Sequence, residues 1–106
     1  MNLGISDTVA TKIWEKDNRR ISRDDVQRAW AAYMNSKVEI DEVVYDMREG
    51  RDPPPEWVLV KIDRKVMKLV FVIFDDTDVF AHLVTAYFVD RKTVRYYEEQ
   101  GGRIHG

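Results

Sequence analysis

The sequence predicts an α+β domain in which helices pack against an antiparallel sheet. Three runs rich in β-branched and aromatic residues follow one another at Glu56–Ile62, Val66–Phe74 and Val79–Tyr87. The links between them are short, charged and prone to turns, which is typical of a meander. The second run is apolar on both faces, which predicts a central strand that is covered on both sides.

Helical periodicity predicts two helices before the sheet. The first runs from Asp7 to about Lys16, and its inward stripe ends at Trp14. Ser22 and Asp25 resemble a capping box at the start of the second helix. The apolar residues of that second helix recur at helical spacing: Val26, Ala29, Trp30, Tyr33 and Met34.

One more strand and one more helix complete the predicted domain. Alternating apolar residues indicate a first strand at Glu42–Arg48, which makes the antiparallel sheet four-stranded. Asp90 caps a final helix, Arg91–Gln100, which two glycines stop. Residues 101–106 are expected to fray. The order α-α-β-β-β-β-α describes a single domain over residues 1–106.

Composition restricts the class of protein. The 106 residues are enough for one core, and the absence of cysteine excludes disulfides and thiolate chemistry. No signal peptide is recognisable, and the longest apolar run, Leu69–Phe74, is too short for a membrane span. The chain is therefore expected to act in the cytoplasm, away from membranes. Its net charge of −2 means that any contact with RNA must depend on a local basic patch.

Metal and cofactor sites are not predicted. The two histidines, His82 and His105, cannot form a zinc set without cysteine, and His82 fits a structural, hydrogen-bonded role in a strand. The acids Asp75, Asp76 and Asp78 could hold a hard cation, but such a group at a hairpin tip is more often a solvated turn. No glycine-rich phosphate loop or nucleophile motif occurs.

Basic and aromatic side chains are the remaining candidates for a site. Cations on the strands and the last helix could converge on one edge of the sheet, near several tyrosines: Arg48, Lys61, Lys68, Arg91 and Arg95, with Tyr87, Tyr96 and Tyr97. Cations stabilise phosphate charge, and aromatic rings stack on unpaired bases. The alternative is that these tyrosines only pack against the sheet.

Several short motifs resemble those of a known family. In order, they are DMRE at 46–49, DPP at 52–54, EW at 56–57, LVTAY at 83–87 and YYE at 96–98. Their combination resembles small bacterial and phage proteins that are often labelled ADP-ribosyl-dinitrogen-reductase hydrolases. The wider arrangement, with ISRDDV at 21–26 opening a helix before the sheet, is similar to BrnT-like toxins of the RelE superfamily.

The resemblance implies a RelE/BrnT-like fold and a toxin-like endoribonuclease of a toxin–antitoxin system. RNA, free or on the ribosome, would be cleaved by attack of a 2′-hydroxyl on the phosphodiester, and an antitoxin protein would neutralise the toxin. Arg48 and Lys68 would neutralise phosphate charge, Tyr87 would stack or transfer a proton, and Thr85 matches the same motif. Further RNA contacts are assigned to four other cations, Lys61, Lys65, Arg91 and Arg95.

Two other functions stay open at this point. A chain that kept the fold without catalysis would serve as a protein-binding module, for example a phage-encoded inhibitor. A small housekeeping domain would have neither role. Growth arrest and RNA cleavage distinguish the first function from these two.

Overall fold

The chain has the predicted α+β class, with helices on both faces of one sheet. A computed structural model describes residues 1–41, 43–47, 50, 52–74 and 80–106. The strands are β1 (Asn2–Gly4), β2 (Val44–Tyr45), β3 (Glu56–Ile62), β4 (Lys65–Val72) and β5 (Phe80–Phe88), and the helices are α1 (Asp7–Glu15), α2 (Arg23–Ser36) and α3 (Arg91–Glu99). The predicted bounds of β3 are confirmed, and β4 and β5 lie within two residues of the predicted positions.

The described strands form a five-stranded mixed sheet in the order β1-β5-β4-β3-β2. β1 runs parallel to β5, with Leu3 opposite Ala81, whereas the other neighbours are antiparallel. The prediction of a four-stranded antiparallel sheet is corrected by this edge strand. Three residues are too few to show an alternating pattern, so hydrophobic periodicity could not detect β1.

Side chains of α2 close the free edge of β1. The hydrogen bonds run from Arg23 Nη1 to the carbonyl of Ile5 (3.1 Å), from Gln27 Nε2 to that of Leu3 (3.0 Å) and from Trp30 Nε1 to that of Met1 (2.9 Å). Donors at positions 23, 27 and 30 share one helix face, and alternate carbonyls of an extended segment point the same way. The helix therefore covers an edge that would otherwise be open to pairing with another chain.

The predicted helix starts are confirmed. Ser6 Oγ accepts from the backbone N–H of Val9 (3.2 Å) at the start of α1. At the start of α2, Ser22 Oγ accepts from the N–H of Asp25, whose carboxylate accepts from the N–H of Ser22. That second bond lowers the pKa of Asp25. Asp90 caps α3 in the same way as Ser6 caps α1.

Two local predictions differ from the structure. Among the described residues of the first predicted strand, Val44 and Tyr45 alone pair as a strand with β3. Glu42 and Arg48 lie outside the described residues. The predicted inward position of Trp14 is wrong, because that ring is 45% exposed and the buried stripe of α1 ends at Ile13. A nine-residue helix needs only a narrow apolar face, so its last aromatic residue can lie at the margin.

β4 is the central strand, and the prediction that it is covered on both faces is confirmed. Leu69 and Phe71 pack in the core beneath α1 and α2. Val70 packs on the opposite face with Leu59 of β3 and with Tyr97 of α3. The run from residue 67 to 72 is buried throughout, and it includes one charged residue, Lys68.

The C-terminal tail is tied to the sheet and does not match the frayed end expected for residues 101–106. His105 is only 2% exposed and lies beside Val60 in a parallel bridge. Its N–H donates to the carbonyl of Leu59 (3.0 Å), and its carbonyl accepts from the N–H of Lys61 (2.7 Å). Its Nδ1 lies 2.7 Å from Ser36 Oγ at the end of α2. The tail thus continues the edge of β3 beyond the point where β2 ends.

The contact between α2 and the β1 edge generates a first prediction. Gln27→Met removes the amide donor to Leu3 and keeps the side-chain length, so the free energy of unfolding should fall by about 1 kcal/mol. Amide hydrogen exchange in β1 should become faster because the edge loses a restraint. Urea denaturation and exchange measured by NMR check this. Gln100→Met changes the chain's other glutamine and is the control; equal losses in both variants would contradict the role of Gln27.

The buried position of His105 generates a second prediction. Burial, and secondarily the nearby Arg103 charge, lower the pKa of His105 from its ordinary 6.5. The unfolded chain therefore takes up this proton at a higher pH than the folded chain. As a result, the folded state keeps its full stability above pH 6.5. Its free energy of unfolding then falls as the pH drops below 6.5 towards the lowered pKa of His105.

His105→Gln should abolish that part of the pH dependence. The two unfolding free-energy curves are measured by urea denaturation between about pH 7.5 and 5, and their difference isolates this histidine. His82→Gln is the control and should keep the wild-type slope. A slope that survives in His105→Gln would show that another group is responsible.

Candidate functional site

A cavity of about 610 Å³ lies on the face of the sheet that α3 covers. Its described lining comes from β2 and the residues that follow it, from the three central strands and from one side of α3: Tyr45, Asp46, Met47, Trp57, Lys68, Tyr87, Lys92, Thr93, Tyr96 and Gln100. This lining combines cations, aromatic rings and hydroxyl groups around a single carboxylate among the described residues, that of Asp46. Such a combination suits an anionic ligand that carries flat rings.

Lys68 is the most unusual residue of this cavity. Alternate residues of β4 lie on the same face, so Lys68 shares the α3 face with Val70. Lys68 is directly opposite Tyr87 of β5. The residue is only 5% exposed, and its Nζ lies 4.2 Å from the ring centroid of Trp57 and 5.5 Å from that of Tyr87. No carboxylate among the described residues forms an ion pair with it.

A buried ammonium group is expensive to desolvate unless an anion or several acceptors compensate for it. The ring faces of Trp57 and Tyr87 supply part of that compensation, because each carries negative potential. The rest must come from solvent or from a ligand in the cavity. Lys68 is therefore placed to bind an anion.

Tyr87 is held in place by Arg19, a residue that the sequence analysis did not select. The guanidinium carbon of Arg19 lies 4.9 Å from the Tyr87 ring centroid. Its Nη1 donates to Thr85 Oγ1 (2.9 Å) and to the next backbone carbonyl (3.3 Å). The left-handed backbone at Asp17 and Asn18 turns the chain so that this arginine reaches β5. In the sequence, residues 17–20 indicate only that the first helix ends there.

The aromatic residues of the cavity have different roles. The rings of Trp57 and Tyr96 are nearly parallel, at 6° with centroids 6.1 Å apart, and Tyr96 is 53% exposed. Tyr96 can therefore offer a ring face to a base. Tyr97 is buried against Trp57, with ring centroids 4.9 Å apart. Burial raises the pKa of Tyr97, and this residue belongs to the core.

The strand pairing brings three of the four predicted catalytic residues together. Lys68 and Tyr87 are cross-strand partners, and Thr85 lies opposite Val70, one step along the same face. Thr85 is bound by Arg19 and does not line the cavity. Arg48 lies outside the described residues.

The predicted RNA-binding cations are dispersed. Lys61 is exposed on β3, and the Nζ of Lys65 lies 4.8 Å from the Phe88 ring centroid, in a separate cavity of about 360 Å³. Arg91 and Arg95 are exposed on α3 and do not line the cavity, whereas Lys92 does. At about 100° per residue, Lys92 shares one side of α3 with Thr93 and Tyr96, whereas Arg91 and Arg95 lie next to each other on the side that faces away from Thr93.

The histidines and acids offer little for metal binding. Among the described residues no group of three histidine, cysteine or acidic side chains could hold a metal ion. The acids Asp75, Asp76 and Asp78 lie outside the described residues. His82 is exposed on β5, with its ring 5.6 Å from that of Phe74, and His105 is part of the tail contact described above.

Searches among protein-family models, curated proteins and solved structures return no match to this chain. In the described part of the chain, no helix has both the length and the apolar character that crossing a membrane requires. The site must therefore be interpreted from its own geometry.

The Arg19 contact generates a third prediction. Arg19→Met removes charge-assisted hydrogen bonds at a mostly buried position, so the free energy of unfolding should fall by about 1–3 kcal/mol. Arg20→Met alters the neighbouring exposed arginine, whose guanidinium lies over the exposed ring of Trp14, and should cost about 0.5 kcal/mol or less. Thermal and urea denaturation measure both effects. A loss in Arg20→Met as large as that in Arg19→Met would contradict this assignment.

Proposed function

We propose that this chain is a cytoplasmic endoribonuclease of the toxin-like class, and that the cavity at Lys68 holds the scissile phosphate. The observation that carries the proposal is Lys68, a residue only 5% exposed whose ammonium lies between two aromatic rings and has no ion-pair partner among the described residues. Phosphate is the anion that the surrounding groups suit best, because the exposed ring of Tyr96 can stack on an adjacent base.

The proposed reaction is an internal transesterification. The 2′-hydroxyl oxygen attacks the adjacent phosphorus, the bond from phosphorus to the 5′ oxygen breaks, and a 2′,3′-cyclic phosphate and a 5′-hydroxyl result. Asp46 takes the proton of the 2′-hydroxyl, and the phenol of Tyr87 gives a proton to the leaving 5′ oxygen. Lys68 stabilises the negative charge that accumulates on the phosphate oxygens.

The fold proposed with this function is the RelE/BrnT-like one, and the motif resemblance supports it. The ordered residues ISRDDV at 21–26 open α2, and LVTAY at 83–87 ends with the tyrosine that faces Lys68. An antitoxin protein is the partner that such a toxin requires. RNA, free or on the ribosome, is its substrate in this proposal.

An inactive toxin-fold protein that binds a protein partner is the second candidate. The exposed apolar side chains at the mouth of the cavity favour it, since Met47 is 70% exposed and Tyr45 is 49% exposed. Clustered exposed apolar residues are typical of surfaces that bind other proteins. This candidate predicts normal growth on expression and intact RNA.

Two substitutions test the endoribonuclease. Tyr87→Phe removes only the proton donor and should lower the cleavage rate of a labelled single-stranded RNA by about 10²–10⁴-fold. Lys68→Met removes the charge with little change of volume and should lower it by about 10²–10³-fold. Both variants should also relieve the growth arrest that the unmodified chain causes on expression.

Matched controls separate these effects from misfolding. Lys16→Met changes an exposed lysine whose side chain does not line the cavity, and Tyr33→Phe changes a tyrosine of a different cavity. Both controls should cleave RNA at the wild-type rate. If purified wild-type protein leaves RNA intact and its expression leaves growth unchanged, the second candidate replaces the first.

A further inference from the structure

A second cavity, of about 540 Å³, lies at the edge of the sheet near the end of α2. Its walls are mainly aromatic and apolar, and they include Trp30, Tyr33, Val58 and Phe71. This volume is in the range of cavities that hold small molecules, about 300–1,000 Å³. Lys68 and Tyr87 do not line it, although Trp57 borders both cavities.

The aromatic walls favour a cation. Trp30 packs edge-on against Phe71, with centroids 5.0 Å apart at 80°, and against Tyr33, with centroids 5.4 Å apart at 66°. Ring faces carry negative potential and attract ammonium groups. The structure contains one such contact at this cavity, because the Nζ of the exposed Lys37 lies 5.7 Å from the Tyr33 centroid.

Glu56 adds a negative charge to the same cavity. It lies opposite Phe71 in the pairing of β3 with β4, so both side chains are on the α2 face of the sheet. Burial raises the pKa of its carboxyl, and the charge of Lys37 opposes that rise only in part. Among the described residues, no hydrogen bond or ion pair reaches this carboxylate.

Two other acids line this cavity: Glu39 is exposed to solvent, and the carboxylate of Asp41 is paired. Asp41 accepts from Arg103 at 2.8 and 3.0 Å and from the N–H of Val38 at 2.9 Å. The hydrogen bonds from Arg103 hold the pKa of Asp41 down to about 2. Glu56 therefore differs from Asp41, because its half-buried carboxylate faces an aromatic cavity without a donor in the described chain.

We propose that this cavity binds a small organic amine with a flat apolar body. The cationic nitrogen pairs with Glu56, and the body packs against Trp30, Tyr33 and Phe71. A carboxylate ligand would meet repulsion from Glu56, and a neutral ligand would gain only apolar burial. The side chain of Lys37 moves into solvent when the ligand's nitrogen takes its place.

Three probes with the same phenyl body and different end groups test this site. The full-length ¹⁵N-labelled protein is titrated with 2-phenylethylamine, 2-phenylethanol and 3-phenylpropionate, and the indole N–H signals of its tryptophans are followed by NMR. The Trp30 signal should move with the amine at about tenfold lower concentration than with the alcohol, and the acid should bind most weakly. Trp14 lies outside the cavity, and its signal should stay in place.

Two variants identify the group that recognises the amine. Glu56→Gln keeps the shape of the side chain and should remove the preference for the amine over the alcohol. Lys37→Gln removes the competing ammonium and should strengthen binding of the amine. An unchanged ¹⁵N spectrum away from the cavity shows that each variant is folded.

Three results would overturn the proposal. The first is binding of 3-phenylpropionate as tight as that of the amine, and the second is a preference for the amine that survives in Glu56→Gln. The third is a Trp30 signal that none of the probes moves at about 10 mM, a concentration at which a probe of this size that fills the cavity should bind. RNA cleavage is measured separately, since this site does not depend on the proposed endoribonuclease.

Discussion

The double coverage of β4 is the constraint on which the rest of the structure depends. A strand with a helical layer on each side must place apolar residues at nearly every position, because neither face meets water. Leu69, Val70 and Phe71 satisfy this requirement, and Lys68 does not. The lysine is tolerated because rings of the neighbouring strands surround its ammonium group. The one break in the apolar pattern therefore coincides with the cavity.

Much of the fold could be predicted because it depends on local patterns. Strand runs, caps at Ser22 and Asp90 and the covered central strand all leave periodic or positional signals in the sequence. The parallel strand β1 and the tail at His105 leave none, since both are short and are held by backbone pairing with distant strands. Arg19 was missed for a related reason, because its role exists only when a turn brings it to β5.

The candidate site could be predicted only as far as strand register determines it. The pairing of Lys68 with Tyr87 follows once β4 and β5 form a hairpin, whereas the phase of α3 relative to the sheet is a tertiary property. With Tyr97 directed into the core, Arg91 and Arg95 fall on the side of the helix away from Thr93 and Tyr96. Cations that are close in sequence to the site can therefore be distant from it in the fold.

The sheet separates two charges of opposite sign, one on a buried lysine and one on a half-buried glutamate, and neither has an ion-pair partner in the described chain. Lys68 is on the α3 face and Glu56 is on the α2 face, and each opens onto its own cavity. Their mutual attraction cannot replace a direct contact, because the side chains leave the sheet in opposite directions. Apolar residues at both positions would give a more stable core. The two proposals assign each charge to a ligand, an anion at Lys68 and a cation at Glu56, because neither charge contributes a partner to the folded core.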